Sequence, residues 1–250
     1  MASASLREWL EREPFELVLT SGFFGFYAHA GMLEALLHEG LAPQAACGSS
    51  AGALVGAAWA SGLALPDLTK ELRSLRREDF WDPGPGLGLL RGELFRKRLE
   101  TMLPVRRFEQ CVAPLAISTF DVRARRTHVV THGEIAPAVV ASCAVPLLFH
   151  PVRHEGRWLL DGGIRDRPGL EGARGRRRLV HHLASRSPWR VSLPIPHGSA
   201  LVALVLEGLP RSGPTQLDAG VQAMSLAREA TLRALDRVID SGVVRIDVRS

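Results

Sequence analysis

Hydrophobic and polar residues alternate along the N-terminal part of the chain in a pattern that predicts strand, helix, strand and helix. The apolar run FELVLT at 15–20 predicts a buried strand, and MLEALLHEG at 32–40 has apolar residues at helical spacing. QAACGSS at 44–50 predicts a second strand, which runs directly into a helix of small residues, AGALVGAAWASG, at 51–62. Strands that alternate with helices in this way predict an α/β fold with three layers, α/β/α, around a mostly parallel sheet.

The rest of the chain continues the same mixture of elements. The further predicted elements are, in order, an amphipathic helix at 94–103, strands at 114–120 and 127–131, a helix at 137–143, a hairpin at 152–163, strands at 177–184 and 200–208, a helix at 217–239 and a strand at 243–248. No internal repeat and no low-complexity linker interrupts them. We therefore expect a single domain over residues 1–250.

The composition is typical of a soluble, well-packed protein, since 46% of the 250 residues are apolar and 23% are charged. No apolar run is long enough to span a bilayer, and the N-terminus has no apolar signal segment. The expected location is therefore the cytoplasm, with export by a signal-independent route left open. The net charge of +5 is compatible with contact with an anionic membrane surface. Nucleic-acid binding is not expected, because aromatic residues do not interleave with a basic stripe.

Motifs for metals and nucleotides are missing from the sequence. The three cysteines, Cys47, Cys111 and Cys143, show no C-x-x-C spacing and no pattern of nearby histidines that would suit a metal. The phosphate-binding pattern G-x-x-x-x-G-K does not occur either. We therefore expect neither a metal ion nor an organic cofactor.

The turn between the second predicted strand and its helix carries a candidate nucleophile. Gly48, Ser50 and Gly52 form the pattern G-x-S-x-G between a strand and a helix, which is the context of a nucleophile elbow. The serine of an elbow has a strained backbone, so its neighbours must be small. The N-terminus of the following helix directs unpaired N–H groups at the negative charge that develops during attack. The alternative is a glycine-rich turn packed tightly against a neighbouring element.

A serine hydroxyl needs a base to take its proton, and the sequence offers a carboxylate for that role. Asp161 ends the stretch WLLD and is followed by Gly162 and Gly163, which would let the backbone bend and bring the carboxylate to Ser50. The alternative is an ordinary Asp-Gly turn.

The loop after the first strand, SGFFGFYAHAG at 21–31, is a candidate anion site. Glycines before a helix free backbone N–H groups to face an anion, and here Gly22 and Gly25 enclose Phe23 and Phe24. The alternative is a plain strand–helix connection with its aromatic residues in the core.

Together these motifs resemble the patatin-like phospholipases, a family of serine acyl hydrolases. Family members have a Gly-rich oxyanion loop after the first strand, then G-x-S-x-G, then D-G-G or D-G-A, and all three occur here in that order. ASCAVPLLFHPV at 141–152 resembles the family's A-S-x-A-x-P-x-x-F-x-P-V, and Pro168 follows the aspartate as in the family. The resemblance covers about residues 15–170, and we expect 171–250 to be an α/β extension of the same domain.

The resemblance implies a lipid acyl hydrolase with a Ser50–Asp161 dyad and no catalytic histidine. Ser50 would attack the carbonyl of a lipid or small ester, Asp161 would take its proton, and N–H groups of the loop 22–25 would form the oxyanion hole. The family's usual loop, G-G-G-x-(R/K)-G, is replaced here by SGFFGF, which lacks the basic residue. This replacement leaves open which N–H groups act and whether the activity is weakened.

Two other functions stay open. An esterase of the α/β-hydrolase fold would need a histidine after Ser50 and Asp161, and the candidates are His181, His182 and His197. Only one long strand precedes Ser50 and no H-G-G-G loop occurs, which argues against that fold. A non-catalytic, lipid-binding member of the family would account for the altered loop, although Ser50 and Asp161 are both intact.

Overall fold

The computed structural model describes residues 4–184 and 194–249, which form helices and strands around one large sheet. The α-helices in these residues are α1 (Leu6–Arg12), α2 (Phe26–His38), α3 (Ala51–Ala60), α4 (Leu65–Ser74), α5 (Glu93–Met102), α6 (Ile135–Ser142) and α7 (Leu217–Leu235). The strands are β1 (Glu16–Leu19), β2 (Ala45–Ser49), β3 (Gly88–Leu90), β4 (Leu115–Asp121), β5 (Arg126–Val130), β6 (Leu147–Phe149), β7 (Val152–His154), β8 (Arg157–Asp161), β9 (Arg178–Leu183), β10 (Leu201–Glu207) and β11 (Val243–Asp247).

The main sheet is mixed but mostly parallel. Its strands follow the order β11-β10-β9-β1-β2-β4-β8-β7, and β5 pairs with β4 outside this path. All pairs from β11 to β4 are parallel, whereas β5, β8 and β7 pair in the antiparallel direction. Strands β3 and β6 form a separate parallel pair. The predicted α/β class with a mostly parallel sheet is confirmed.

Two strands meet end to end beside β4, and this meeting positions the candidate site. The first half of β4 pairs with β2, up to Ser118 opposite Ser49. The second half of β4 pairs with β8, from Thr119 opposite Asp161 onward. Because β2 is parallel and β8 antiparallel to β4, the carboxyl ends of β2 and β8 point at each other. Residues that follow β2 are therefore brought to the last residue of β8.

Different elements pack against the two faces of the main sheet. The larger core combines one set of alternate strand residues, such as Leu17, with apolar residues of all the helices from α1 to α7. The smaller core, on the other face, combines Val18 and its neighbours on adjacent strands with Leu170, Ala173 and Ile195 from connecting segments. Within the described residues, the three expected layers thus consist of the sheet, a helical layer on one face, and connecting segments on the second face.

The positions of most elements agree with the sequence pattern, with two differences. Helix α2 begins at Phe26 rather than at Met32, since Tyr27 and Ala28 already face the core. Helix α4 and the small β3–β6 sheet were not predicted, because the first is short and polar and the second has only three residues in each strand. In the part of the chain that the structure describes, no helix has the length and apolar character needed to cross a membrane.

Candidate active site

Ser50 lies at a sharp turn between β2 and α3. Its backbone has φ 54° and ψ −118°, a strained combination for a residue with a side chain and one that suits a nucleophile elbow. The flanking glycines are required by space. A Cβ on Gly48 would collide with the backbone of Gly52, and a Cβ on Gly52 would collide with the carbonyl group of Leu19. The sequence pattern thus corresponds to a turn that only small neighbours permit.

The strained turn is held by Ser142 at the end of α6. The Ser50 N–H donates to Ser142 Oγ at 2.8 Å, and the Ser142 hydroxyl donates to the Ser118 carbonyl oxygen at 2.7 Å. Ser142 is fully buried. The sequence pattern gave Ser142 no role of its own, and the available signal was its place as the serine of the family pattern A-S-x-A-x-P-x-x-F-x-P-V.

Asp161 is buried at the end of β8, and its carboxylate is held in place by the turn that follows. Its Oδ1 accepts the Gly163 N–H at 2.7 Å. A Cβ on Gly162 would collide with the Ser118 carbonyl oxygen, and a Cβ on Gly163 would come within 2.7 Å of Ser21 Oγ. Both glycines are therefore needed for close approach rather than for an unusual backbone angle.

The structure brings the predicted serine and aspartate into direct contact. The Ser50 hydroxyl donates to Asp161 Oδ2 at 2.7 Å, although the two residues are 111 positions apart in the chain. This contact follows from the end-to-end meeting of β2 and β8. One carboxylate oxygen is bound by a backbone N–H and the other by the hydroxyl, so the carboxylate is oriented as an acceptor for the Ser50 proton.

Cys143 lies next to this pair and lines the same groove as Ser50. Burial raises the pKa of the Cys143 thiol well above its ordinary value, and the negative charge of Asp161 raises it further, while a hydrogen bond with Ser50 opposes them. The thiol is therefore neutral at physiological pH. A neutral thiol is a weak nucleophile, so Cys143 is a poor candidate for a nucleophile in this groove.

The candidate oxyanion loop offers fewer donors than the sequence suggested. The Gly25 N–H donates to the Gly22 carbonyl at 2.9 Å, which closes the loop and occupies that donor. Phe24 has a positive φ of 54°. Within the described residues, the N–H groups of Gly22, Phe23 and Phe24 have no hydrogen-bond acceptor. Ala51, the first residue of α3, has an equally unbound N–H.

An apolar groove opens over Ser50. It is bounded by the loop 22–25, by α3 to α5 and by the β3–β6 sheet. Most of its lining is aliphatic or aromatic, and examples are Phe24, Leu54, Leu75, Phe80, Met102 and Phe149. Phe24 and Phe26 are half-buried along this groove, whereas Phe23 stands exposed at its rim.

The histidines considered for a triad lie in other surroundings. His181 is fully buried on β9, and its Nδ1 lies 2.8 Å from Nδ1 of His29. His182 is buried on the same strand, and His197 is exposed. Within residues 4–184 and 194–249, no group of three or more His, Cys, Asp or Glu side chains is arranged to hold a metal ion.

The fold and the site together define an α/β protein with a serine–carboxylate pair at the ends of its strands. The family model described as patatin-like phospholipase matches residues 17–174, which is more than half of the chain. The chain therefore belongs to the patatin-like phospholipase family.

Curated relatives and one solved structure agree with this assignment. An uncharacterized NTE family protein of Mycobacterium tuberculosis (strain ATCC 25618 / H37Rv) is 32% identical over 154 residues, which cover 60% of this chain and 42% of the relative. Neuropathy target esterase of Drosophila sechellia is 28% identical over 174 residues, which cover 66% of this chain and 12% of that protein. The chain thus spans less than half the length of these relatives. The crystal structure of VipD from Legionella pneumophila matches with a TM-score of 0.65 at 15% identity, over 91% of this chain and 68% of that chain, and so shares the fold.

Proposed function

We propose that this chain is a lipid acyl hydrolase that cleaves carboxylic esters with Ser50 as nucleophile and Asp161 as its base. The observation that carries the proposal is the 2.7 Å hydrogen bond between these side chains at the floor of an apolar groove. Membership of a phospholipase family supports the substrate class. The groove has the chemistry to hold an acyl chain, because aliphatic and aromatic side chains form most of its lining.

The reaction would proceed through an acyl-enzyme. Asp161 accepts the proton of Ser50 while Oγ attacks the ester carbonyl carbon, and the carbonyl oxygen becomes an oxyanion. The unbound N–H groups of the loop 22–24 and of Ala51 are the donors that would stabilise this oxyanion. The protonated Asp161 then donates its proton to the leaving alkoxide. In the second half, Asp161 takes a proton from the water that attacks the acyl carbon. It then returns this proton to Ser50 Oγ as the Ser50–acyl bond breaks and the acid leaves.

The Ser-Asp-His alternative has less support. His181 is engaged with His29, and burial lowers the pKa of His181 well below its ordinary value. A histidine triad needs an imidazole that hydrogen-bonds the serine and gains a proton during attack. We therefore expect His181→Ala to lower stability without removing the nucleophile's reactivity, whereas a triad would lose nearly all activity.

The two adjacent serines provide a matched test of this function. We expect the wild-type chain to hydrolyse p-nitrophenyl butyrate and to react with a fluorophosphonate probe. Ser50→Ala should lower hydrolysis by about 10³-fold or more and abolish labelling. Ser49→Ala should retain both, because Ser49 Oγ is buried beside the site without reaching Asp161. Hydrolysis retained in Ser50→Ala, or a wild-type chain that resists the probe, would contradict the proposal and favour a non-catalytic lipid-binding protein.

We further propose that the rim of the groove contacts an anionic membrane surface. Phe23, Leu87 and Leu147 are 58%, 79% and 83% exposed, and each borders the groove or the small β3–β6 sheet beside it. Leu147 also has a positive φ of 69°, so this bulky side chain is held outward at a cost in backbone strain. Neither core packing nor local backbone preference accounts for that position.

Charge at the rim favours an anionic partner. The exposed side chains of Arg91 and Arg165 stand close in sequence to the exposed apolar residues Leu89 and Ile164. Among the acidic residues close to them in sequence, Asp82 accepts the N–H groups that begin α5 and Asp166 is buried in a turn, whereas Glu93 is exposed. Apolar side chains beside arginines suit a surface in which acyl chains lie beneath anionic headgroups.

Sedimentation with vesicles tests the rim directly. We expect binding to vesicles of phosphatidylglycerol and phosphatidylcholine, with weaker binding when phosphatidylglycerol is omitted or salt is raised. The double variant L87S/L147N should lose most of this binding while hydrolysis of p-nitrophenyl butyrate stays unchanged. The control is Val112→Ser, an equally exposed residue (74%) that contacts the far end of α3. Equal loss in control and double variant would contradict the rim assignment.

A further inference from the structure

Four residues separate the apolar groove from a second recess on the protein surface. The groove and the recess have Glu71, Asp79, Arg98 and Met102 in common. Ser50 lines the groove alone, while the other residues of the recess are mostly polar. Because they line both spaces, the four residues form the wall between them.

Arg98 is the centre of this wall. Its guanidinium lies 2.8 Å from Glu71 Oε2 and 2.9 Å from Asp79 Oδ2, so it joins α5 to α4 and to the short turn after α4. Asp79 is fixed in turn, because its Oδ2 also accepts the Arg76 N–H at 2.7 Å. The result is a bridge of three charged side chains across an otherwise apolar groove.

A charged bridge is a poor surface for the end of an acyl chain. Each methylene that leaves water for the apolar part of the groove raises affinity by about fourfold. A chain long enough to reach the bridge would have to strip water from three half-exposed charges, which opposes further gain. Affinity should therefore rise with chain length and then stop rising at a defined length.

We propose that the Arg98 bridge is the end wall of the acyl groove and sets the longest acyl chain that the site accepts. This inference rests on the proposed function, since it assumes that the groove holds acyl chains. Arg98 is a specificity-determining residue in this scheme, and it takes no part in the chemistry at Ser50. Removing its side chain would join the groove to the second recess and give longer chains a path beyond the wall.

The test uses neutral ligands that are not hydrolysed, so that it does not depend on catalysis. Binding of n-alkyl methyl ketones, from hexanone to tetradecanone, is measured by displacement of an environment-sensitive apolar dye from the chain of 250 residues. In wild type we expect affinity to rise with length and then level off. In Arg98→Ala the levelling should move to longer chains by several carbons, with at least about a tenfold gain for the longest ketone.

Two further variants complete the experiment. Arg96→Ala is the control, because Arg96 lies on the same helix and has its own ion pair with Glu100 but lines neither the groove nor the recess. Met102→Trp should thicken the wall and move the levelling to shorter chains, which keeps the test decisive if Arg98→Ala fails to fold. The wall proposal is overturned if Arg98→Ala and Arg96→Ala have the same length profile as wild type, or if Met102→Trp leaves it unchanged.

Hydrolysis of p-nitrophenyl butyrate by the same proteins separates this inference from the proposed function. A short acyl chain does not reach the wall, so wild type and the control Arg96→Ala should hydrolyse it at the same rate within about twofold. Ketone binding with a shifted limit but no hydrolysis in wild type would reject catalysis and support the wall. Hydrolysis with an unshifted limit would support catalysis and reject the wall.

Discussion

Two pairs of polar side chains lie near the carboxyl ends of the central strands, and they differ in what surrounds them. Ser50 and Asp161 are joined by a 2.7 Å hydrogen bond across 111 positions of sequence. His29 and His181 are joined by a 2.8 Å contact between their Nδ1 atoms across 152 positions. Both pairs therefore depend on the sheet topology rather than on any local motif.

The two pairs differ in whether a molecule from solvent can reach them. Ser50 lines an apolar groove, whereas His29 and His181 are completely buried. His29 Nε2 must donate to the Thr20 carbonyl oxygen, because a carbonyl can only accept. In the neutral rings His29 Nδ1 is then an acceptor, and the His181 Nδ1–H donates to it. Two pairs with similar distances thus have different surroundings: one borders a groove, where we propose that it acts on a substrate, and the other packs in the core as a neutral pair.

The largest effect is expected from Asp161→Asn, which should lower hydrolysis of p-nitrophenyl butyrate by about 10³-fold or more. Asparagine keeps the shape of aspartate and can still accept the Gly163 N–H, but it cannot take the Ser50 proton. The free energy of unfolding in urea should change by no more than about 1 kcal/mol. Activity and stability measured on one preparation check both statements.

Two other outcomes for Asp161→Asn would contradict the distinction between the serine–aspartate pair and the histidine pair. Retained activity would mean that another group takes the proton, and the variant His181→Ala would then be the first to examine. Loss of activity together with a large loss of stability would mean that the Ser50–Asp161 pair, like the histidine pair, mainly holds the fold.

The histidine pair should make stability depend on pH. Burial lowers the pKa of His29 to about 4 from an ordinary 6.5. Above pH 6.5 the His29 side chain does not lower the free energy of unfolding. The free energy of unfolding falls as the pH drops from 6.5 towards 4, because in this range the unfolded chain binds a proton at His29 and the folded chain does not. We expect His29 to lower the free energy of unfolding by about 3 kcal/mol between pH 6.5 and pH 4. Urea unfolding at a series of pH values measures it.

The variant His29→Gln separates the contribution of His29 to the pH dependence of stability from that of the other titrating groups. Its free energy of unfolding should fall less steeply between pH 6.5 and 4 than that of wild type. His38→Gln is the control, because His38 lies exposed on the same helix α2. If His29→Gln retained the wild-type slope, the buried histidine pair would not be the source of the pH dependence.

An effect of intermediate size is expected from Ser142→Ala, which removes the acceptor of the Ser50 N–H. We predict that Ser142 acts as a positioning residue, since it is fully buried and holds the strained turn through the Ser50 N–H. We expect kcat to fall about tenfold with KM unchanged within about twofold, equivalent to one lost hydrogen bond. Steady-state kinetics measure this split between kcat and KM.

The control for Ser142→Ala is a serine with a similar bond elsewhere. Ser61 is buried at the opposite end of α3 and donates to the Ala58 carbonyl oxygen. Ser61→Ala should cost stability without lowering kcat. If the two variants lowered kcat equally, the effect would be a general loss of packing and not the positioning of Ser50.

The sequence predicted that Ser50 and Asp161 come together, and the structure shows this contact, but the sequence did not predict the residues that support it. G-x-S-x-G and D-G-G are readable because each glycine is required by space at its own turn. The end-to-end meeting of β2 and β8 depends on strand register beside β4, which alternation of apolar residues does not encode.

Other features were missed for the same reason. The hydrogen bond from Ser50 to Ser142 and the pairing of His29 with His181 join segments that no local pattern connects. Gly25 was expected among the oxyanion donors, but its N–H is occupied by the Gly22 carbonyl, a bond that depends on the loop's own curvature. The Arg98 bridge involves the turn after α4, and that helix was not predicted.

The smallest effect is expected from Ser49→Ala, which extends the comparison to a buried serine that has no carboxylate partner in the part of the chain that the structure describes. Ser49 is as buried as the histidine pair and adjacent to Ser50, yet within the described residues its hydroxyl has no hydrogen-bond partner. A buried hydroxyl without a partner gives no net stabilisation, so its removal should change the free energy of unfolding by no more than about 0.5 kcal/mol, in either direction. Urea unfolding and ester hydrolysis measured together check this, and a loss above about 1 kcal/mol would show that Ser49 forms a bond in solution. If both quantities stay at their wild-type values, burial at the end of β2 is not sufficient for a role, and pairing with a carboxylate is what distinguishes Ser50 from its neighbour.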